Sequence, residues 1–358
     1  MSRTPSSAAA AAVVALGAPA PAAPGSLASR LGRAIALVAF IVLVVVLGLT
    51  LAPANALELQ YAVSLTLFAV ATNLILGFGG LVSFGQGIFY GVGAYTVALG
   101  WMHQSLDFTE AMVLAPLFGA VAAVPLGMLA LRTRRLYFSL LTLTMSQLAF
   151  VIAENQTNLT GGTNGVFGAM VPTWLLDPHT SFLFTAASVA VSIAVLWKVV
   201  HSPFGLVLRA IRDNRERVEA LGVNVYAHEL AAFVISAFFC ALAGSLFVVY
   251  SQSSYPEILN WTASGVPVFM AVIGGMYSFF GPVVGAFVYE FASHYLIEYT
   301  QDWQLVIGVV LLAIVLLRPD GLAGSLGSLR ARLRRRRQPA AARPAEDLAT
   351  PDDAGGRP

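Results

Sequence analysis

"GFGGLVSFGQGIFYGVGAY", residues 77–95, contains seven glycines among nineteen residues and no charged residue. Glycine-rich loops of soluble proteins often cradle phosphate, but this stretch has no Lys or Arg and lies between apolar runs. In a membrane, small residues let helix backbones approach closely, and van der Waals packing then holds the helices together. Glycine also permits a broken helix, which is tolerated at membrane depth only where the backbone is buried in protein or faces water. The stretch therefore predicts closely packed membrane helices and permits an interruption in one of them.

The composition of the whole chain agrees with a membrane location. Of its 358 residues, 58% are hydrophobic and only 11% are charged, and the mean hydropathy is +0.77. Soluble domains carry about 25% charged residues, so a soluble protein of this size would lack polar surface. The one cysteine, Cys240, excludes a disulfide framework, and the five histidines are too scattered for a metal-ligand pair. We predict an all-α, polytopic membrane helix bundle of about 8–10 transmembrane helices, without metal or cofactor.

Runs of about 20 apolar residues identify the candidate membrane spans, and shorter runs qualify where a helix is broken or tilted. The last three spans include an ambiguous pair within 264–297. Because Gly274-Gly275 and Gly281-Pro282 interrupt this pair, it is either two crossings or one re-entrant hairpin. The ten candidate spans are 34–52, 59–77, 87–102, 110–131, 136–153, 181–199, 229–250, 264–279, 282–297 and 304–318.

The basic residues predict the orientation of the chain, because Lys and Arg favour the cytoplasmic side of a membrane. With a cytoplasmic N-terminus, all 20 basic residues lie on the cytoplasmic side, and the outer loops carry acidic residues only. We expect a disordered cytoplasmic segment over 1–33, a transmembrane domain over 34–320 and a basic, disordered cytoplasmic tail over 321–358. A cleaved signal peptide over 30–56 is the alternative, because "ANA" at 54–56 resembles a cleavage site.

A charged segment, "HSPFGLVLRAIRDNRERVEALGVN" (201–224), separates the sixth and seventh spans. Ser202 and Pro203 predict a helix start, and Gly222 predicts its end. One or two amphipathic cytoplasmic helices are expected over 202–224, as a connector on the membrane surface or as a docking site for a soluble partner. The apolar stripe comprises Val207, Ile211, Val218 and Leu221, interrupted by Asn214. The i,i+4 charge pairs are Arg209–Asp213, Asp213–Arg217, Arg212–Glu216 and Arg215–Glu219.

Polar residues among the apolar spans are candidates for a translocation pathway, because such side chains usually face the bundle interior or a pathway. Tight packing with no pathway role is the alternative. The motif G-G-x-x-S-F occurs at 79–84 and at 274–279, and transporters often pair interrupted segments in corresponding halves. The polar outer loop 154–168 either connects two spans or forms an outer mouth. The candidate pathway residues are Asn73, Gly79, Gly80, Ser83, Gln86, Thr163, Asn164, Gly274 and Gly275.

Several classes of function lack the residues that they need. The sequence has no G-x-x-x-x-G-K-[ST] motif, so it contains no P-loop ATP site. Glu290 is the one plainly acidic residue within a predicted span, which argues against a proton pump or proton relay. No nucleophile–base pair or carboxylate pair stands out, so no catalytic residue is expected. The basic tail is expected to anchor the topology rather than to bind nucleic acid.

These motifs together resemble the permease subunits of bacterial ABC importers for branched-chain amino acids, and within that family the second, M-type permease. The resemblance covers about 60–320, and Gln86 and Tyr277 depart from the residues common at their positions. It rests on six segments in order: 77–95, "TGGTNGV" (160–166), "SPFGLVLRAIRDNRERVEALGVN" (202–224), "LAAFVISAFFCALAGSLFVVY" (230–250), "VIGGMYSFFGPVVGA" (272–286) and "RPDGL" (318–322).

The resemblance implies one transmembrane half of an importer in the bacterial inner membrane that takes up Leu, Ile or Val by alternating access. It implies that two separate cytoplasmic P-loop ATPase subunits hydrolyse the ATP. A second permease subunit would complete a heterodimer, and a periplasmic solute-binding protein would deliver the solute. A urea or short-chain amide importer and a self-sufficient carrier or channel are the alternatives. The implied ATPase-coupling residues are Arg209, Asp213, Glu219, Ala220, Leu221 and Gly222.

Overall fold

The computed structural model describes residues 48, 50, 52–102, 106–133, 136–168 and 171–317, and these are almost all helical. In lipid every backbone N–H and C=O must be satisfied within the protein, and a helix does this within its own segment. The α-helices of the described residues are α1 (Pro53–Asn73), α2 (Gln86–Met102), α3 (Phe108–Ala130), α4 (Leu136–Asn155), α5 (Thr157–Thr160), α6 (Pro178–His201), α7 (Pro203–Asp213), α8 (Arg215–Ala220), α9 (Val225–Ser251), α10 (Trp261–Gly274), α11 (Gly281–Tyr299) and α12 (Trp303–Leu317). The other elements are a π-helix (Leu74–Phe78), three 3-10 helices (Gly162–Asn164, Thr173–Leu175 and Pro256–Leu259) and the strands β1 (Val166–Phe167) and β2 (Ser253–Ser254).

The helices confirm the predicted polytopic helix bundle. Within the described residues, five helices are long and apolar enough to cross a membrane: α1 with its π-helical continuation, α3, α4, α6 and α9. Every predicted span from 59–77 onward overlaps a helix. The first predicted span, 34–52, lies outside the described residues except at positions 48, 50 and 52, as do the predicted terminal segments 1–33 and 321–358.

Two of the long helices form the centre of the bundle. The most apolar 18-residue stretch is 94% buried in α1 and 78% buried in α9. The corresponding stretches of α3, α4 and α6 are 33%, 22% and 39% buried. The central helix α9 packs against α1, α2 and α3. Because α3, α4 and α6 expose apolar side chains that water would not tolerate, their outer faces suit lipid or another membrane protein.

Glycines set the spacing between α2 and α9, which is an instance of the close helix packing that the glycines of 77–95 predict. A Cβ atom on Gly93 of α2 would collide with the backbone of Ala241 in α9. Reciprocally, a Cβ atom on Gly244 of α9 would collide with the backbone of Tyr90 in α2. The two backbones are therefore in direct contact, and no larger residue fits at either position without moving a helix.

The pair of spans within 264–297 is a pair of packed helices, α10 and α11. A Cβ on Gly285 would collide with the backbone of Met270, so these helices also touch through their backbones. With 14 residues, α10 is about 21 Å long, which is shorter than the hydrocarbon core of a bilayer. Helix α2 has 17 residues and is about 26 Å long. Residues 79–85 before α2 and residues 275–280 after α10 are not helical, so the breaks lie at the glycine pairs Gly79-Gly80 and Gly274-Gly275.

The loop 154–168 takes part in a small sheet that the sequence does not predict. Strand β1 pairs antiparallel with β2, with Val166 opposite Ser254 and Phe167 opposite Ser253. Gly161 and Gly165, on either side of a 3-10 turn, both have φ +76°, a conformation that favours glycine. The sheet fixes the loop that follows α4 to the segment between α9 and α10.

Candidate translocation pathway and coupling segment

Gln86, the first residue of α2, organises a buried polar cluster at the centre of the bundle. Its side-chain oxygen accepts hydrogen bonds from Ser236 Oγ at 3.2 Å and from Cys240 Sγ at 3.3 Å. Its Nε2 donates to Ser83 Oγ at 3.4 Å. All four side chains are buried. Since Ser236 lies near the middle of the 27-residue helix α9, the cluster lies midway along a membrane-spanning helix.

The starts of the two short helices meet beside this cluster. The N–H of Gly87 in α2 donates to Ser264 Oγ in α10 at 2.8 Å. Ser264 Oγ lies 3.1 Å from Ser146 Oγ, and Ser146 Oγ also donates to the Leu259 carbonyl at 2.7 Å. Ser146 is near the middle of α4, so both helix starts lie at about half the depth of a spanning helix. We call Ser83, Gln86, Ser146, Ser236, Cys240 and Ser264 the central polar group.

The sequence identifies Ser83 and Gln86 in this group but misses Ser146, Ser236 and Ser264. A signal for the missed serines exists, because each is a polar residue in an otherwise apolar span. Serine is nonetheless a weak signal, since its hydroxyl can bond to the carbonyl of its own helix. In this protein Thr66, for example, bonds to the Ala62 carbonyl within α1.

The repeated G-G-x-x-S-F segments lie side by side. Gly77, just before the first segment, approaches the backbone of Met276 in the second so closely that no Cβ would fit. Asn73, which is buried, donates to the Ser278 carbonyl at 3.4 Å. Gly80 and Gly275 have φ +72° and +110°, so both segments turn through conformations that favour glycine. The structure thus brings together Asn73, Gly79, Gly80, Gly274 and Gly275, as neighbouring parts of two chain reversals.

Thr163 and Asn164 occupy a different place from the other candidate pathway residues. Both are exposed in the 3-10 turn of the loop 154–168, whereas Gln86 and Ser83 are buried. The structure does not bring these two side chains to the central polar group. Their position is that of a loop at the end of the bundle.

The charged segment 202–224, which we call the coupling segment, contains two helices, one of the two outcomes expected. Helix α7 starts at Pro203 after Ser202, as predicted, and ends at Asp213. Asn214 is extended, and its side-chain oxygen accepts from the Arg217 N–H at 2.9 Å, which caps α8. Gly222, with φ +81°, turns the chain after α8, as predicted.

One of the four predicted charge pairs forms, although all of their residues are described. Arg215 binds Glu219 at 2.9 Å within α8. The pairs Arg212–Glu216 and Asp213–Arg217 are wrong because they straddle the extended Asn214, which destroys the i,i+4 geometry of a continuous helix.

The fourth predicted pair, Arg209–Asp213, lies within α7 but both partners bond elsewhere. Arg209 donates to the carbonyls of Gly205 at 3.1 Å and Val200 at 3.4 Å. Asp213 instead binds Arg212 at 2.9 Å. Arg209 thereby secures the junction between α6 and α7 rather than stabilising the helix surface.

The apolar stripe of the coupling segment packs as predicted, with one exception. Ile211, Val218 and Val225 form a buried cluster, against which Val207 and Val223 pack. Leu221 is 76% exposed, which corrects its predicted place in the stripe. Because α8 ends at Ala220 and Gly222 turns the chain, Leu221 points away from the cluster. Glu219, Ala220, Leu221 and Gly222 are all exposed, so they form an accessible end of the coupling segment.

Arginines tie the coupling segment to the membrane helices. Arg215 holds both oxygens of the buried Glu229 in α9, at 2.7 and 2.8 Å. Arg212 donates to the Gly77 carbonyl at 2.7 Å. Beside these arginines lies a cavity of about 420 Å³, lined by residues that include Gly79, Gly80 and Leu81 on one side and Asp213 and Asn214 on the other. Arg212 and Arg215 were not among the coupling residues that the sequence identifies.

The described residues contain no cluster of three or more His, Cys, Asp or Glu side chains that could hold a metal ion. Glu290, the acidic residue singled out in a span, is only partly buried in α11. One turn further along α11, His294 Nε2 lies 3.5 Å from a carboxylate oxygen of Glu58, near the start of α1. This region is distinct from the central polar group.

Comparisons with known proteins agree with the architecture. The family described as "Branched-chain amino acid transport system / permease component" matches residues 55–316. The high-affinity branched-chain amino acid transport system permease protein LivM of Escherichia coli is 28% identical, over 72% of this chain and 67% of that protein. The corresponding permease protein LivH of Escherichia coli is 25% identical, over 72% of this chain and 90% of that protein.

A further relative is the probable branched-chain amino acid transport permease protein LivM of Methanocaldococcus jannaschii, which is 23% identical over 59% of this chain and 67% of that protein. No solved structure matches the chain. The family match begins within α1, at residue 55, and extends through α11 and most of α12. The chain therefore belongs to the family of branched-chain amino acid transport system permease components.

Proposed function

We propose that this chain is a transmembrane permease subunit of an ATP-driven importer for branched-chain amino acids. The named functions of the LivM and LivH relatives support the class of solute. The absence of a P-loop motif from the sequence supports a division of labour in which separate cytoplasmic subunits hydrolyse the ATP. In this proposal the chain is itself no enzyme.

The proposed location is the inner membrane of a bacterium, with both termini and the coupling segment in the cytoplasm. The distribution of all 20 basic residues supports this orientation. Residues 34–320 would form the permease domain, with 1–33 and 321–358 as cytoplasmic segments. The contact of Arg212 with Gly77 is compatible with it, because both then belong to the same face of the membrane.

The observation that carries the proposal is the form of the coupling segment. One face of it is buried through Ile211, Val218 and Val225, while Glu219–Gly222 stand exposed at its end. An exposed, rigidly held end is suited to contact with one ATPase subunit beneath this chain, and the second ATPase subunit would lie beneath a second permease. The residues proposed for this contact are Arg209, Asp213, Glu219, Ala220, Leu221 and Gly222.

The proposed pathway passes the central polar group. Two short helices start there, and the starts of helices carry partial positive charge that favours an anionic group such as an amino acid carboxylate. Asn73, Ser83, Gln86 and the paired glycine segments would line or gate the pathway, and Thr163 and Asn164 would lie at its outer mouth. A periplasmic solute-binding protein would deliver the amino acid there, and alternating access would follow movements of the ATPases.

Uptake by the complete complex, with the second permease, the ATPases and the binding protein, tests the substrate class. In proteoliposomes with ATP on the coupling-segment side, we expect accumulation of radiolabelled leucine, reduced by unlabelled isoleucine and valine but not by urea or acetamide. Accumulation of labelled urea that leucine does not reduce would instead support the amide importer. Equal competition by all solutes would contradict a specific importer.

A further inference from the structure

Arg212 lies where three parts of the chain meet. It belongs to α7 of the coupling segment, and its Nη1 donates to the carbonyl of Gly77 at 2.7 Å. Its guanidinium carbon lies 5.3 Å from the ring centroid of Tyr277. We call residues 77–85 and 274–280, where the chain turns between helices, the two glycine reversals. Gly77 in the first reversal lies 135 residues before Arg212 in the sequence, and Tyr277 in the second lies 65 residues after it. One side chain therefore touches the coupling segment and both reversals.

Asp213 fixes the orientation of the Arg212 guanidinium. Nε and Nη2 of Arg212 donate to the same Asp213 oxygen at 3.0 and 2.9 Å. This leaves Nη1 aimed at Gly77, at the end of the helix formed by α1 and the π-helix. The last carbonyls of a helix lack donors within the helix, and a cation there is favoured by the helix dipole. The bond to Gly77 is thus a directed, charge-assisted one.

The aliphatic part of Arg212 is held as closely as its charged end. A Cβ atom on Gly80 would lie 2.6 Å from Arg212 Cγ, so only glycine leaves room for this side chain. Gly80 also has φ +72°, which any other residue would adopt at a cost. The reversal that follows α1 is therefore shaped around Arg212 at both the backbone carbonyl and the turn glycine.

The reversal also has space in which to move. Gly79, Gly80 and Leu81 line the cavity of about 420 Å³, and Arg212 and Asp213 line the same cavity. Packed cores resist displacement, whereas a segment beside a cavity can shift without compressing its neighbours. Arg212 therefore contacts a part of the bundle that can shift when the coupling segment moves.

The two other arginines of the coupling segment that contact neighbouring parts of the chain, Arg209 and Arg215, bond elsewhere. Arg209 bonds to carbonyls of its own segment and of the preceding helix. Arg215 binds Glu229 in α9, the long central helix. Arg212 alone among these three contacts the reversal that leads into Gln86 and the start of α2.

We propose that Arg212 is a positioning residue that carries movement of the coupling segment to the two glycine reversals, and so opens and closes the cytoplasmic end of the pathway. The proposal rests on the proposed function, because it assumes that ATPases move the coupling segment. In it, Arg212 touches neither the ATPase nor the solute. Its loss should uncouple ATP hydrolysis from transport rather than prevent docking.

The test compares Arg212→Gln with the wild type in the complete reconstituted complex, by measuring leucine uptake and ATP hydrolysis on the same vesicles. We expect the amount of leucine taken up per ATP hydrolysed to fall at least about ten-fold, with ATP hydrolysis within about twofold of the wild type. Arg212→Lys keeps one donor for Gly77 but loses the fork to Asp213, so its ratio should lie between the two. Arg132→Gln is the control, because Arg132 is exposed in the loop after α3 and the same charge is removed.

Three results would overturn the proposal. An unchanged ratio in Arg212→Gln would show that the contact transmits nothing. A parallel loss of hydrolysis and uptake would place Arg212 in the ATPase contact instead. Failure of both Arg212→Gln and Arg212→Lys to assemble would give Arg212 a purely structural role. A wild-type complex without ATP-dependent uptake would contradict the proposed function itself, which distinguishes the two failures.

Discussion

The backbone N–H of Gly87 donates a hydrogen bond of 2.8 Å to Oγ of Ser264, and this bond joins the starts of the two short helices α2 and α10. The two residues are 177 positions apart in the sequence. Ser264 Oγ also lies 3.1 Å from Ser146 Oγ, so one hydroxyl links three helices in the middle of the bundle.

Ser264→Ala should destabilise the protein by about 1–3 kcal/mol, because it leaves the buried Gly87 N–H without its acceptor. The measurement is thermal or denaturant unfolding of the purified chain in detergent. Ser192→Ala is the matched control: Ser192 is also buried, but its hydroxyl bonds to the Ser188 carbonyl of its own helix. Equal losses of stability in the two variants would contradict the role assigned to Ser264.

Gly244→Ala should be strongly destabilising, because the new Cβ would collide with the backbone of Tyr90, which cannot move without shifting α2. Overpacking of this kind costs about 1–3 kcal/mol or more. Gly265→Ala is the control, because a Cβ there meets nothing nearer than Phe269 at 3.8 Å. It should leave stability unchanged or raise it by up to about 1 kcal/mol, since alanine favours a helix. Unfolding midpoints measure both, and the reverse order would contradict the close helix contact.

Gln86→Leu should reduce leucine uptake by the complete complex at least about ten-fold while the folded yield changes little. The hydroxyl of Ser236 keeps a second acceptor in the Ala71 carbonyl, at 2.7 Å, so the loss of Gln86 leaves it paired. Gln60→Leu is a matched control, because Gln60 is also buried and bonds to Ser181 and Thr185 outside the central polar group. Normal uptake by the Gln86→Leu complex would show that Gln86 is not part of the pathway.

Gly222→Val should reduce ATP-dependent uptake at least about ten-fold without preventing membrane insertion. Gly222 has φ +81° at the exposed end of the coupling segment, and a side chain there strains the turn by about 1–2 kcal/mol and covers the proposed ATPase contact. Gly168→Val imposes the same strain at φ +74°, also with open space around it, but in the outer loop. If the two variants lost the same share of uptake, strain rather than docking would explain the effect.

The fold class could be predicted from sequence because lipid restricts a chain of this composition to helices. The ends of the coupling helices could also be predicted, since Pro203 and Gly222 act through local backbone geometry. Asn214 interrupts the apolar stripe in the sequence, and the structure breaks the helix there, so the charge pairs predicted across Asn214 are wrong. The cap at Asn214 therefore decides where the helix breaks, because surface charge pairs stabilise a continuous helix by only about 0.2–0.5 kcal/mol each.

The composition of the central polar group could be predicted only in part. Gln86 and Ser83 were found because they lie beside a conspicuous run of glycines. Their partner Ser236 is 150 positions from Gln86, and periodicity within one helix does not determine which helix packs beside it. Arg212 was missed as a contact for the same reason, since its acceptor is 135 positions away in another helix.

The most direct test of the central claim, that a separate ATPase powers this chain, is leucine uptake into vesicles that contain this chain with or without its companions. The account predicts accumulation against a gradient only when the second permease, the ATPases, the binding protein and ATP are all present, and none when ATP or the ATPases are omitted. Concentrative uptake by this chain alone would contradict it.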